Sequence, residues 1–155
     1  MCSWCWEFSP TVEALTNEYV GRAPIFPIAG GLRPLNDQPM DGAAKTEIRH
    51  HWADVEKASG QSFDFSFFDR DDFVYDTEPA CRALVTVRTL KPEAALRFLA
   101  SQHKAFYAEN RDITDQDVLA DLAEAAGVDR GAFVEAFTSR KMIYLTATDF
   151  FRSQS

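Results

Sequence analysis

Two cysteines stand three residues apart in the stretch Cys2-Ser3-Trp4-Cys5. Thiols at that spacing sit on one side of a helix's first turn and can close a disulfide there. The chemistry is thiol–disulfide exchange, in which a thiolate attacks a disulfide sulfur and a neighbouring thiol resolves the mixed disulfide. A helix N-terminus favours the thiolate, because its unpaired N–H groups and dipole stabilise negative charge; helix-terminal Cys-X-X-Cys thiols reach pKa values of roughly 3.5–7 against ~8.5 for a free thiol. Cys2 is therefore the expected nucleophile and Cys5 the resolving thiol, with the neighbouring indoles of Trp4 and Trp6 expected to meet the substrate. Two other readings of the pair stay open at this level, half of a zinc site and two ordinary exposed thiols. A structural zinc site usually draws on a second pair, and Cys81, His50, His51 and His103 supply none at matching spacing.

The remaining chemistry-bearing residues fit other motifs poorly. His50 and His51 are adjacent, so on a helix they diverge by about 100° and cannot ligate one metal as an i, i+4 pair would. A calcium loop begun at Asp69 would put Val74 at the glycine position and Ala80 at the glutamate position. Gly30-Gly31 lacks both the dinucleotide spacing and a following Lys-Ser/Thr, which leaves a turn and not a phosphate cradle. Cys81 reads as a small buried residue, and the run from Phe63 to Phe68 as core beneath a helical cap, with a peptide groove as its alternative.

The elements that must position these groups are mostly helices. Trp4, Phe8, Val12, Leu15 and Tyr19 recur at helical steps, so a helix is expected from Ser3 to about Tyr19, with Gly21 ending it. Ala23–Ile28 is a short apolar run holding Pro24 and Pro27, expected as a strand with the limits proline sets on sheet pairing. Asp41 is expected to cap a helix that ends at Gly60, Thr77 one that opens on Glu78-Pro79, and Pro92 to restart a third. Thr114 to Asp117 resembles a capping box, and Asp129 starts the next helix. The fold class expected is mainly α: an incomplete thioredoxin-like α/β element over 1–37, carrying a helical insertion domain over 38–155.

Composition narrows the function. A chain of 155 residues with 46% hydrophobic residues suits one globular unit. Its formal net charge of -8 has the wrong sign for phosphate backbones or anionic lipid surfaces, so neither nucleic acid nor membrane is an expected partner. The absence of a long apolar span or a basic-then-apolar leader makes a cytoplasmic protein the expectation.

Met1-Cys2-Ser3-Trp4-Cys5-Trp6 with Phe8 and Pro10, then Gly30-Gly31-Leu32-Arg33-Pro34, then Tyr75-Asp76-Thr77-Glu78-Pro79-Ala80-Cys81-Arg82-Ala83 resemble the DsbA-like family of thioredoxin-fold proteins. They are most similar to its predicted cytoplasmic protein-disulfide isomerases, which carry a long helical insertion. The resemblance implies catalytic roles for Cys2 and Cys5, a place in the helical cap for Thr77 to Arg82, no metal or organic cofactor, and a disulfide-containing protein or small thiol as substrate. It also implies a strand ahead of the pair and a cis-proline loop, two strands and a helix after the insertion. Met1 stands inside the motif, and the 63 residues after Pro92 hold no proline, so a member truncated at both ends is expected. Glu7 replaces an expected glycine, and its carboxylate should oppose a thiolate at Cys2.

A lone strand has unpaired edges, and a stable sheet needs about three strands. Partial unfolding, strand exchange between copies in a homo-oligomer, or a separately encoded partner would each answer that need. Three functions therefore compete: a thiol–disulfide oxidoreductase, a helical remnant or binding module without catalysis, and a glutathione-dependent transferase or isomerase on the related kappa-class scaffold.

Overall fold

Trp52 lies at the centre of the chain's aromatic core, 1% exposed, with the rings of Phe63, Phe67, Phe68, Phe106 and Tyr107 at centroid distances of 4.8–5.9 Å. The computed structural model describes residues 1–155 and builds seven α-helices around and beside that cluster: α1 (Ser3–Glu18), α2 (Gly42–Ser59), α3 (Glu78–Leu90), α4 (Ala95–Tyr107), α5 (Gln116–Ala125), α6 (Arg130–Phe137) and α7 (Arg140–Gln154). Helix α1 lies against α2 and α4, while α3 is the hub that meets α4, α5, α6 and α7. The fold is mainly helical, as the sequence pattern requires.

Local chemistry fixes most helix ends. Asp41 caps α2 by accepting from the Ala44 N–H at 2.7 Å, and Gly60 ends it at φ 74°, a left-handed conformation glycine adopts without steric cost. Asp129 and Ser139 cap α6 and α7 in the same manner. Two expected caps work differently. The hydroxyl of Thr77 accepts from the Arg33 N–H instead, and Asp76 takes over by accepting from the Glu78 N–H at 2.9 Å. The box at Thr114 does not form: Asp115 caps α5, while the Thr114 hydroxyl donates to Asp112.

The expected strand at Ala23–Ile28 is absent. A strand exists only as one member of a ladder, and nothing in the chain runs beside this segment; the one antiparallel bridge joins Pro39 to Val74. Residues before proline are held to extended conformations, so Ala23 and Phe26 still keep the segment open. The run Phe63–Phe68 is core, as expected, but it is more ordered than a loop: residues Phe65–Asp69 form a 3-10 turn with Asp64 accepting from the Ser66 N–H.

Candidate functional site

Cys2 is the N-cap of α1, with φ -145° and ψ 112°, and its Sγ accepts from the Cys5 N–H at 3.2 Å. The sulfur thus takes the place of the side-chain oxygen that usually satisfies a helix's first free donors. A thiolate is favoured there, and the Cys2 pKa is lowered from 9.0 to about 6. The largest cause is the hydrogen bond from the Cys5 thiol; the Cys5 backbone N–H assists, and partial burial opposes both. The Cys5 pKa is pushed up, because its proton is held by Cys2 and a second negative charge beside the first is unfavourable. Glu7 is not among the groups acting on Cys2, so the expected opposition from its carboxylate does not arise.

These shifts separate the two thiols: Cys2 favours the thiolate near neutral pH and Cys5 keeps its proton. Were Cys2 to enter a mixed disulfide, it would carry neither charge nor lone-pair demand on that proton, and the two causes besides burial that hold Cys5 up would disappear together.

Trp4 and Trp6 separate. Trp4 is 48% exposed beside Cys5, its indole edge-on to the His51 ring at 6.1 Å. Trp6 is buried, and its Nε1 donates to the Ser62 carbonyl at 3.3 Å. Pro10 sits inside α1 and has no N–H, which leaves the Trp6 carbonyl without its intrahelical donor. Gln61 Nε2 replaces that donor at 3.1 Å. Gln61 and Ser62 thus fix the first turns of α1 from outside. Sequence reading missed both; the one signal was a proline four residues after Trp6.

The other two motifs meet in space. Arg33 N–H donates to the Thr77 hydroxyl at 3.0 Å while Thr77 N–H donates to the Arg33 carbonyl at 3.1 Å. The Arg33 guanidinium lies 5.7 Å from the Tyr75 ring centroid. Gly31 has φ 60°, and a Cβ there would come within 2.7 Å of the Phe150 ring, so glycine is demanded by conformation and by space. Cys81 is half-buried on α3, with a pKa raised by burial, in keeping with a structural place. His50 and His51 are exposed on α2, and no cluster of three or more His, Cys, Asp or Glu side chains is arranged for a metal.

Between α1, the segment Ala23–Ile28 and α4 runs an open groove of about 1370 Å³, whose walls include Cys5, Phe8, Val12, Ile25 and Leu96. His103 also lines it, and burial holds that imidazole neutral with a pKa lowered to about 3. No helix is long and apolar enough to cross a membrane.

Comparison with known proteins agrees with this geometry. A family model described as a DSBA-like thioredoxin domain matches residues 1–150. A crystal structure from Nitrosomonas europaea, provisionally described as a protein disulfide isomerase, superposes with a TM-score of 0.90 at 34% identity, covering 98% of this chain and 72% of its own. The cytosolic disulfide reductase DsbM of Pseudomonas aeruginosa superposes at 0.82 with 26% identity, covering 99% and 72%, and DsbM has also been solved with GSH. Among curated proteins, the ClpXP adapter protein SpxH of Halalkalibacterium halodurans is 24% identical over 90% of this chain and 47% of its own length. The chain therefore spans about half the length of the curated relatives it matches.

Proposed function

This chain belongs to the DsbA-like thioredoxin domain family, and we propose that within it the chain is a cytoplasmic thiol–disulfide oxidoreductase. Its substrates are disulfides of proteins or of a small thiol such as glutathione. The observation that carries the reading is the Cys2 sulfur at the head of α1, accepting from the Cys5 N–H, with the Cys5 thiol as its neighbour. Likeness to proteins described as a disulfide isomerase and a cytosolic disulfide reductase supports the reaction class and the compartment.

The step balances without a metal or organic cofactor. The Cys2 thiolate attacks one sulfur of the substrate disulfide, forming a mixed disulfide and expelling one substrate thiolate. Cys5 loses its proton and attacks the Cys2 sulfur, closing Cys2–Cys5 and releasing the second thiolate. Two electrons pass from the dithiol to the substrate; the reverse sequence oxidises a substrate dithiol. Trp4, exposed beside the pair, contacts the substrate, and Trp6 holds the helix that carries it.

The test is the pH dependence of iodoacetamide alkylation at each cysteine, folded and urea-unfolded, read by mass spectrometry. Cys2 should alkylate with a midpoint near 6 when folded and near that of a free thiol when unfolded, with Cys5 slower throughout the neutral range. Identical titration of both cysteines in the two states overturns the proposal and leaves a binding role, the kind that the name of the SpxH adapters describes. Loss of two protein thiols per glutathione disulfide reduced separates exchange from the formation of glutathione conjugates.

A further inference from the structure

Tyr75 and Tyr107 place two phenol groups in the core beside the cysteine pair, and the exchange steps give neither of them a task. Tyr107 is fully buried and Tyr75 is 7% exposed. The enclosure is made by rings of the helical body itself: Phe106 lies 5.7 Å from the Tyr75 ring and 4.9 Å from the Tyr107 ring, and Trp52 and Phe63 lie 5.1 and 5.4 Å from Tyr107. Burial keeps both phenols neutral, pushing the Tyr75 pKa up to about 12 and that of Tyr107 well above its ordinary value. The Tyr107 hydroxyl has no hydrogen-bond partner. Burying a hydroxyl unpaired costs stability, so its presence in an otherwise apolar cluster calls for a reason.

The cysteine pair lies within electrostatic reach of that hydroxyl. Charge on Cys2 acts on both phenols, and at Tyr107 it acts more strongly than charge on Cys5. A run of hydrogen bonds fixes the arrangement. The Asp64 N–H donates to the Tyr107 carbonyl at 2.7 Å, Trp6 Nε1 donates to the Ser62 carbonyl, and the Trp6 N–H donates to the Cys2 carbonyl at 3.1 Å. A hydroxyl without a partner turns its O–H to suit the field around it. Near neutral pH, Tyr75 is neutral, Cys5 keeps its proton, and His103, 6.3 Å away ring to ring, is neutral too. The Cys2 thiolate is then the one negative charge acting on the hydroxyl, and the O–H turns its hydrogen towards it.

We propose that the Tyr107 hydroxyl, seconded by that of Tyr75, is an internal dipole that stabilises the Cys2 thiolate and sets how readily the pair gives up electrons. The inference rests on Cys2 being the attacking thiolate of the proposed oxidoreductase. A dipole fixed in a low-dielectric core acts on a charge far more strongly than one in water. Its effect is differential, because Cys2 in a disulfide carries no charge to stabilise. Reduction of the Cys2–Cys5 disulfide by two glutathione thiols yields glutathione disulfide, the Cys2 thiolate, the Cys5 thiol and one released proton. The hydroxyl favours that reduced side and makes Cys2 a better leaving group. Tyr107 is thus a positioning residue for charge rather than a group that touches the substrate.

The experiment compares the whole chain with Tyr107→Phe, which removes one oxygen and keeps the ring. The other groups that act on Cys2 or on the phenols, namely Cys5, the Met1 amino group and the Arg33 guanidinium over Tyr75, are the same in both proteins. In the folded variant the Cys2 alkylation midpoint should rise from about 6 by about half a unit to one unit, with the urea-unfolded midpoints identical. At equilibrium with a glutathione buffer at neutral pH, the variant should shift about two- to fivefold towards the Cys2–Cys5 disulfide. Its urea midpoint should not fall, since the lost hydroxyl had no partner. Tyr75→Phe should show a smaller rise in the Cys2 midpoint, which keeps the test decisive if Tyr107→Phe does not fold. Wild-type Cys2 that titrates as a free thiol overturns the oxidoreductase reading and this inference with it. A lowered wild-type midpoint that neither variant moves overturns this inference alone. A fall in the urea midpoint of Tyr107→Phe with the Cys2 midpoint unmoved assigns the hydroxyl a structural role and overturns it equally.

Discussion

Residues 1–37 and 38–155 dispose of their apolar side chains in opposite ways. Of the 38 buried residues, only Ser3, Trp6 and Ala29 come from the first 37 positions, yet nine of the thirteen exposed large hydrophobic residues do. The helical body has a finished core around Trp52. The thiol-bearing segment leaves its apolar surface open and is tied down at a few points: Trp6 to Gln61 and Ser62, Pro27 and Ala29 to the Arg88–Asp149 pair, Gly31 under Phe150 and Arg33 to Thr77. The difference teaches that, within these residues, side-chain ties from the body hold the Cys2–Cys5 segment in place. Its geometry should therefore fail when those ties fail, well before the body unfolds.

The sharpest test of the contrast sets Trp52→Ala against Phe8→Ala. Trp52 touches six aromatic rings and is essentially inaccessible, so truncation should cost about 3–5 kcal/mol in urea unfolding. Phe8 is half-exposed, and the same change should cost less than about 0.5 kcal/mol. Equal losses would mean that the two regions share one core after all.

Asp149→Asn comes next. It leaves the Arg88 guanidinium without its counter-charge and weakens the acceptor of the Ala29 N–H, which predicts a loss of about 2–3 kcal/mol. Hydrogen exchange distinguishes the tie from mere stability: the Ala29 amide should lose protection more than amides of α5, whereas a uniform loss would reduce the pair to a prop for α3 and α7.

How much of this was legible in the sequence follows the same division. Helix ends such as Asp41 and Gly60 were readable because capping is settled within four residues. Thr77 was misread as a side-chain cap because its hydroxyl answers to Arg33, 44 positions away. The strand at Ala23–Ile28 failed for a related reason: a short apolar run gives a segment the capacity to pair, and pairing needs a neighbour. At the site, the place of Cys2 and Cys5 on the first turn of α1 was visible from their spacing, since a helix's first turn supplies its own donors. The supports of that turn were not, because Gln61 and Ser62 are unremarkable residues until the chain folds back onto them.

The Cys2 shift adds a pH test confined to the first region. Its folded pKa of about 6 lies below the unfolded value near 9, so folding favours the deprotonated form. The stabilisation is fully present above the unfolded pKa and is lost as pH falls through the folded one. Allowing for solvent screening at a partly exposed site, reduced protein should lose roughly 1–2 kcal/mol between pH 9 and 6 relative to Cys2→Ser, in which that dependence disappears. A flat difference across that range would show that neither the Cys5 thiol nor the helix end acts on the Cys2 sulfur.

The smallest expected effect isolates one tie. Because Pro10 withholds an N–H from the Trp6 carbonyl, Gln61→Ala should leave that oxygen unpaired and cost about 1 kcal/mol. Pro10→Ala restores a backbone donor within α1, so in that background the same Gln61→Ala change should cost less than half as much. The coupling, measured as a double-mutant cycle by urea unfolding, is the signature of a shared acceptor. If instead Gln61→Ala costs the same with and without Pro10, the glutamine acts by contact alone. The helix that presents Cys2 would then be held by Trp6 and Ser62 without it.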